Sequence, residues 1–172
     1  MLRLLSKSAV GMCCLFGTTI AHAQSLGFEM TGNILPPTCR WAVGDGNRSI
    51  QLDAIDLRDL PASGAAGHTP FQLVLEGCSA GITQVMFAFS GNVDISDPYR
   101  YRNIGSAKGI AMELQSSDGR TLRADGSDST RTVVVNADRA ALDLRVAYWR
   151  LDSQQTSSGT VIAVAQVVMT YQ

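Results

Sequence analysis

Apolar and polar residues alternate with a period of two through much of this chain. Between residues 26 and 34 the apolar positions are Leu26, Phe28, Met30 and Ile34, with Gly32 in phase, and Gly27, Glu29, Thr31 and Asn33 fall between them. Such alternation predicts an extended strand that buries one face. It returns at Phe71, Leu73 and Leu75, at Val85, Phe87 and Phe89, and at Ile110, Met112 and Leu114. Val133 and Val135 give a shorter piece, and Leu142, Leu144, Val146 and Tyr148 a longer one. The last segment, Thr160 to Gln172, is rich in β-branched residues, which favour strands.

Helical signals are weak. Ala54 to Ala62 has room for a turn or two, but Pro61, Gly64 and Gly67 interrupt anything longer. Asp118-Gly119 predicts a tight turn, and Asp94 to Ser106 and Ser153 to Ser158 read as polar loops. Short strands separated by turns, without alternating helices, predict an all-β sandwich in a single domain.

The final strand differs from the others. Val161, Ala163, Ala165, Val167, Met169 and Tyr171 share one face, while Ile162, Val164 and Val168 lie on the other beside Gln166 and Thr170. Strands apolar on both faces are usually covered on both or central in a sheet. This pattern asks what lies beside it.

Composition adds a compartment. Arg3 and Lys7, an apolar stretch from Ala9 to Ile20 and the small-x-small site Ala21-His22-Ala23 form an export signal, so the mature chain is expected to begin at Gln24. The apolar stretch is too short to span a membrane as a helix, and no later segment approaches that length. The leader removes two of the 14 basic residues, leaving 12 against 15 acidic. Nothing here forms the concentrated basic patch that nucleic acid requires. With 17% charged and 45% hydrophobic residues the chain has the makings of a packed core.

Cys39 and Cys78 remain after the leader. In an oxidising compartment a lone pair reads as a disulfide, closing a loop of roughly 40 residues with a stabilisation of about 4 kcal/mol. Zinc is excluded, because the sole remaining histidine is His68 and no thiolate pair has finger spacing.

Catalytic patterns are missing. His68 stands beside Gly67 and Thr69 in what reads as an exposed Gly/Ala/Ser-rich loop without a nucleophile elbow, and there is no HExxH, phosphate loop or dinucleotide fingerprint. Asp94, Asp97, Asp118, Asp125 and Asp128 all occupy turn-like contexts, where aspartate serves the backbone. The sequence thus predicts no enzyme and no cofactor. Tyr99, Arg100, Tyr101 and Arg102 read as an amphipathic strand edge or surface loop.

An ordered set of segments resembles the pilin subunits assembled by the chaperone–usher pathway, as in type 1 fimbriae. It comprises Pro37-Thr38-Cys39, Phe71-x-Leu73-x-Leu75-x-x-Cys78, Val85-x-Phe87-x-Phe89-x-Gly91, Gly109-Ile110-x-Met112-x-Leu114, Leu144-x-Val146-Ala147-Tyr148 and a final strand from Gly159 with Tyr171 penultimate. The resemblance implies an incomplete immunoglobulin-like β-sandwich lacking its last strand. It divides the chain into a signal peptide at 1–23, an amino-terminal donor-strand arm at 24–36 and a pilin domain at 37–172.

In that scheme Gly159, Val161, Ala163, Ala165, Val167, Met169 and Tyr171 border an acceptor groove. A periplasmic chaperone fills the groove first. At an outer-membrane usher the arm of a neighbouring fimbrial subunit replaces it, by β-strand addition. This chain's own donor residues would be Leu26, Phe28, Met30, Gly32 and Ile34. Burying four large apolar side chains contributes roughly 6–12 kcal/mol before ordering costs, at about 1.5–3 each.

The arm before Cys39 is short, and Met30 to Cys39 looks most like a minor adaptor subunit near the fibre tip. Pro36 lacks an amide, so pairing should stop near Leu35. The competing readings are a major rod subunit, a self-contained secreted carbohydrate-binding sandwich that completes its own sheet, and a periplasmic hydrolase.

Overall fold

A computed structural model describes residues 31–32, 38–152 and 154–172. The chain divides into two units, Met1–Ile34 and Leu35–Gln172. In the first, only Thr31 and Gly32 are described, both exposed.

The second unit is all-β apart from a 3-10 turn at Leu57–Asp59. Its strands are β1 (Arg40–Trp41), β2 (Gly64–Glu76), β3 (Gln84–Gly91), β4 (Ile110–Ser116), β5 (Thr130–Val134), β6 (Ala140–Arg150) and β7 (Ala165–Tyr171). They form two antiparallel sheets, one in the order β1-β2-β6-β4 and one in the order β5-β3-β7. Alternation dictates what lies between the sheets. Leu73, Leu75, Leu114, Leu142 and Leu144 of the first pack against Val85, Phe87 and Phe89 of the second, all buried. The Cys39–Cys78 disulfide belongs to the same cluster.

Two sequence expectations need correction. The Gly64–Pro70 stretch is strand and extends β2, because β6 offers a long partner from Arg150 back to Ala140. Gly67 is absorbed by a register shift between Ala66 and Thr69, where its φ of +65° is available to glycine without strain. Likewise, the terminal strand is regular only over Ala165–Tyr171. Its first part bonds instead to the 103–107 loop, through Ile104 N–H to Ile162 C=O (2.8 Å) and Ala107 N–H to Thr160 C=O (3.0 Å).

The turn aspartates act as expected of that residue. Asp94, Asp97, Asp118 and Asp125 each accept from the N–H two residues on, at 2.8–3.1 Å. At Asp118 and Asp125 the bonds favour the charged form. The Ser116 hydroxyl and the Arg120 N–H lower the pKa of Asp118, and the Ser127 hydroxyl and N–H lower that of Asp125.

A less legible feature closes one edge of the sandwich. Arg131 of β5 points inward opposite Phe87 and is buried. Its guanidinium donates to Ser116 Oγ at 2.7 Å and to the carbonyls of Thr130 (2.8 Å), Asp128 (3.2 Å), Arg120 (3.3 Å) and Thr121 (3.4 Å). All five donors are thereby used, so the charge sits in a cage of main-chain dipoles.

Candidate functional site: an open groove beside the terminal strand

β7 has one bonded neighbour, β3, and lies at the edge of its sheet. Gln84 and Gln172 exchange both main-chain bonds, at 3.1 and 3.0 Å. Bonded pairs recur every second residue in an antiparallel ladder, so Thr170, Val168 and Gln166 continue the pairing with Met86, Ala88 and Ser90. Thr160 and Ile162 are engaged toward the same side by the 103–107 loop. The odd-numbered residues from Val161 to Tyr171 therefore turn their N–H and C=O groups outward, to an edge with no strand partner among the described residues. Their side chains point inward: Val161, Ala163, Val167, Met169 and Tyr171 pack against the core.

The facing wall is the segment 45–57. It is tethered at three points. Buried Asp45 accepts from Arg48 Nη1 (2.6 Å) and from the Val74 N–H (2.7 Å), and Arg48 also donates to the Gln72 carbonyl (2.8 Å). Tyr148 Oη donates to the Asp53 carbonyl at 3.1 Å. Asp56 caps the 3-10 turn. Between Gly46 and Ile55 no main-chain to main-chain hydrogen bond forms among the described residues. Nothing in the alternation marks this wall, since its residues make neither strand nor helix.

Both borders enclose one cavity of about 1110 Å³, with core side chains such as Phe71, Leu73, Phe89, Met112, Leu114 and Val146 reaching its floor. Among the described residues, two main-chain edges without strand partners thus flank an apolar floor. Along the terminal segment the cavity runs from Ser157 to Val167. At about 3.3 Å per residue this admits a strand of about ten residues.

Of the residues named for the groove, Gly159, Val161, Ala163, Ala165 and Val167 line it. Met169 and Tyr171 lie past its end, where Tyr171 Oη donates to the Cys39 carbonyl at 3.4 Å. Gly159 is forced by close approach, because a Cβ there would meet the Ala107 nitrogen at 2.5 Å. Gly91 is similar, with the Val164 carbonyl at 2.6 Å and the Tyr101 ring at 2.7 Å. Leu26, Phe28, Met30 and Ile34 of the arm lie outside the described residues.

The chemistry around the groove is that of packing. Burial, followed by the charge of Asp125, pushes the Tyr101 phenol well above its ordinary pKa, and its buried hydroxyl has no partner. On the outer face of the first sheet, Arg100 lies 3.6 Å over the Trp149 ring and 3.6 Å from Glu113. This holds the 97–102 segment onto β4 and β6. His68 is exposed on β2 and does not line the groove. Among the described residues no cluster of three or more His, Cys, Asp or Glu side chains could hold a metal ion.

The architecture is an immunoglobulin-like sandwich open along one edge, the form taken by pilus subunits. Among solved structures it resembles the P pilus rod subunit PapA (TM-score 0.67, 19% identity, covering 78% of this chain and 99% of that one). It also resembles a subunit from the structure of a chaperone–usher pilus that addresses rod uncoiling (TM-score 0.65, 20% identity, 91% and 100%). Residues 28–172 match the family model described as Fimbrial protein, and the chain belongs to that family. It is 30% identical over 152 residues to the S-fimbrial adhesin protein SfaS of Escherichia coli O6:K15:H31 (strain 536 / UPEC), covering 88% of each. To the protein FimG of Escherichia coli strain K12 it is 30% identical over 151 residues, covering 87% of each. The chain is thus a non-enzymatic structural subunit of a fimbria, which polymerises with other subunits at the cell surface.

Proposed function

We propose that this subunit is built into its fimbria by donor-strand exchange, and that it is a minor adaptor joining tip to shaft. The observation that carries the first part is the groove: among the described residues β7 presents an edge without a strand partner beside an apolar floor, across from a wall that makes no main-chain to main-chain bond between Gly46 and Ile55. An inserted strand would pair with both edges and supply the missing core side chains. The groove's length suits the arm's own alternating segment, Leu26 to Ile34, as a model of such a strand.

Gly32 supports a role for the arm in another molecule. An added Cβ there meets nothing within 4 Å among the described residues, and in an inserted strand the glycine would be the small residue that passes a shallow point of the groove. The division of the chain after Ile34 agrees with an arm at 24–36 ahead of a pilin domain at 37–172, behind a leader at 1–23.

An apolar groove beside an unpaired edge invites aggregation. A periplasmic chaperone bound along Gly159 to Tyr171 would cover it until an outer-membrane usher brings the next subunit. The adaptor role rests on the short arm between Gln24 and Cys39.

Deleting Gln24 to Ile34 tests the reading. The truncated subunit should still be exported and recovered with its chaperone, yet fail to add onto a preceding subunit. Normal incorporation into fibres would overturn strand exchange through this arm.

A further inference from the structure

The ladder that holds β7 stops short of the groove it borders. Its last pair is Gly91 with Ala165, yet the terminal segment lines the groove from Ser157 to Val167. Most of that border therefore lies ahead of β7 and has no support from β3. Past Gly91 a loop takes over. The Arg102 N–H donates to the Asn92 carbonyl at 2.8 Å, and residues 103–107 then bond to 160–162.

The loop does half of a strand's bonding with side chains. Its main chain donates from the Ile104 N–H to the Ile162 carbonyl and from the Ala107 N–H to the Thr160 carbonyl. The carbonyls that a strand would offer in return are replaced by side-chain oxygens. The Ile162 N–H donates to Asn103 Oδ1, and the Thr160 N–H to Ser106 Oγ, each at 2.9 Å.

Asn103 is itself braced. Its Oδ1 also accepts from the Gly105 N–H (2.8 Å), an Asx turn, and its Nδ2 donates to the Ala107 carbonyl (3.0 Å). With N–H donors at one end of the amide and a carbonyl at the other, the side chain has one satisfactory orientation. Ser106 is held as well, since its N–H donates to Thr160 Oγ1 at 3.1 Å.

This clasp has a consequence for the groove. Thr160 and Ile162 spend their main-chain groups on the loop, so an extended chain turns those of Val161 and Ala163 the other way. We propose that Asn103 and Ser106 are positioning residues for an incoming strand. Neither lines the groove, but together they hold Val161 and Ala163 in line with the edge that β3 sets for Ala165 and Val167. The role presupposes strand exchange in this groove and divides its edge into a ladder-held part and a clasped part. Without Asn103 Oδ1 the Ile162 and Gly105 N–H groups lose their acceptor. A docking strand must then order residues 161–163 itself, which weakens binding.

Amide hydrogen exchange of the exported protein, followed by NMR with and without saturating Gln24–Pro36 peptide, tests the division. In the parent the peptide should protect the amides of Val161, Ala163, Ala165 and Val167 together. In Asn103→Ala, Ala165 and Val167 should stay protected, while protection of Val161 and Ala163 falls at least about tenfold and the peptide Kd rises about 5- to 50-fold. Ser106→Ala leaves Ile162 held and should uncover Val161 ahead of Ala163.

No protection at any of the four amides in the parent would overturn strand exchange, and the clasp's role with it. Protection in the parent that is unchanged in Asn103→Ala, or that falls equally at all four amides, would overturn the clasp's role and leave strand exchange standing. If Asn103→Ala does not fold, the same comparison in Ser106→Ala decides.

Discussion

Ala163→Trp probes the groove where a strand would have to pass. Ala163 lies between Val161 and Ala165 on the inward face of the terminal segment and lines the cavity. Ala163 also packs partly against the core, and an indole there extends from that contact into open space of about 1110 Å³, so the unoccupied subunit should fold with stability close to the parent's. The neighbouring main-chain bonds, Ile104 to Ile162 and the β3 ladder, involve the other face and remain. For an incoming strand the same indole is overpacking, which costs about 1–3 kcal/mol. Affinity for a Gln24–Pro36 peptide should then fall by roughly 5- to 150-fold. Fluorescence anisotropy of a labelled peptide measures it, with Thr132→Trp on the opposite face of the other edge strand as the control. If Ala163→Trp binds within twofold of the parent, strands do not dock in this groove.

Two further substitutions test the packing beneath it. Tyr101→Phe removes a buried hydroxyl that has no partner, so stability near neutral pH should be unchanged or higher by up to about 1 kcal/mol. The folded phenol keeps its proton above the pH, about 10, where the unfolded one loses it. Tyr101 therefore contributes stability below that pH that is lost above it, at about 1.4 kcal/mol per pH unit. Urea melts at pH 8 and 11 should show Tyr101→Phe losing less than the parent, and parallel losses would refute the assignment. Arg131→Met takes a donor from Ser116 Oγ and from four carbonyls, of which Arg120 C=O keeps the Ser116 N–H. A loss of roughly 1–3 kcal/mol is expected, as for leaving buried acceptors unsatisfied. At about 3–4 °C per kcal/mol this lowers Tm by roughly 3–12 °C in calorimetry, and an unchanged Tm would show that the cage is dispensable.

The parts of the fold that were legible in the sequence are those fixed by period-two burial. Val85, Phe87 and Phe89, or Leu142 and Leu144, can face a core in one register alone, so alternation places them. Asx turns were equally legible, because Asp94 or Asp118 bonds its own neighbourhood. The double apolarity of the last strand also had a cause in the structure: one face lines the groove and the other carries the exposed ridge of Ile162, Val164 and Val168.

What stayed hidden depends on distant partners. Gly64–Pro70 becomes strand because β6 is long enough to hold it, against local propensity. Arg131 is drawn inward by carbonyls from a turn some ten residues earlier. The 45–57 wall is placed by Asp45 reaching the Val74 N–H and by Tyr148 reaching Asp53, bonds that no local pattern announces.

The central claim is that the groove beside β7 is the seat of a strand with alternating apolar residues. Thermal unfolding of the exported protein, with the Gln24–Pro36 peptide and with a peptide of the same composition in shuffled order, tests it most directly. A strand that binds the folded state alone stabilises it by about 2.7 kcal/mol at a hundredfold excess over Kd, a rise in Tm of about 8–11 °C. The account predicts that rise for the alternating peptide and none for the shuffled one. Equal behaviour of the two peptides at saturating concentration would contradict it.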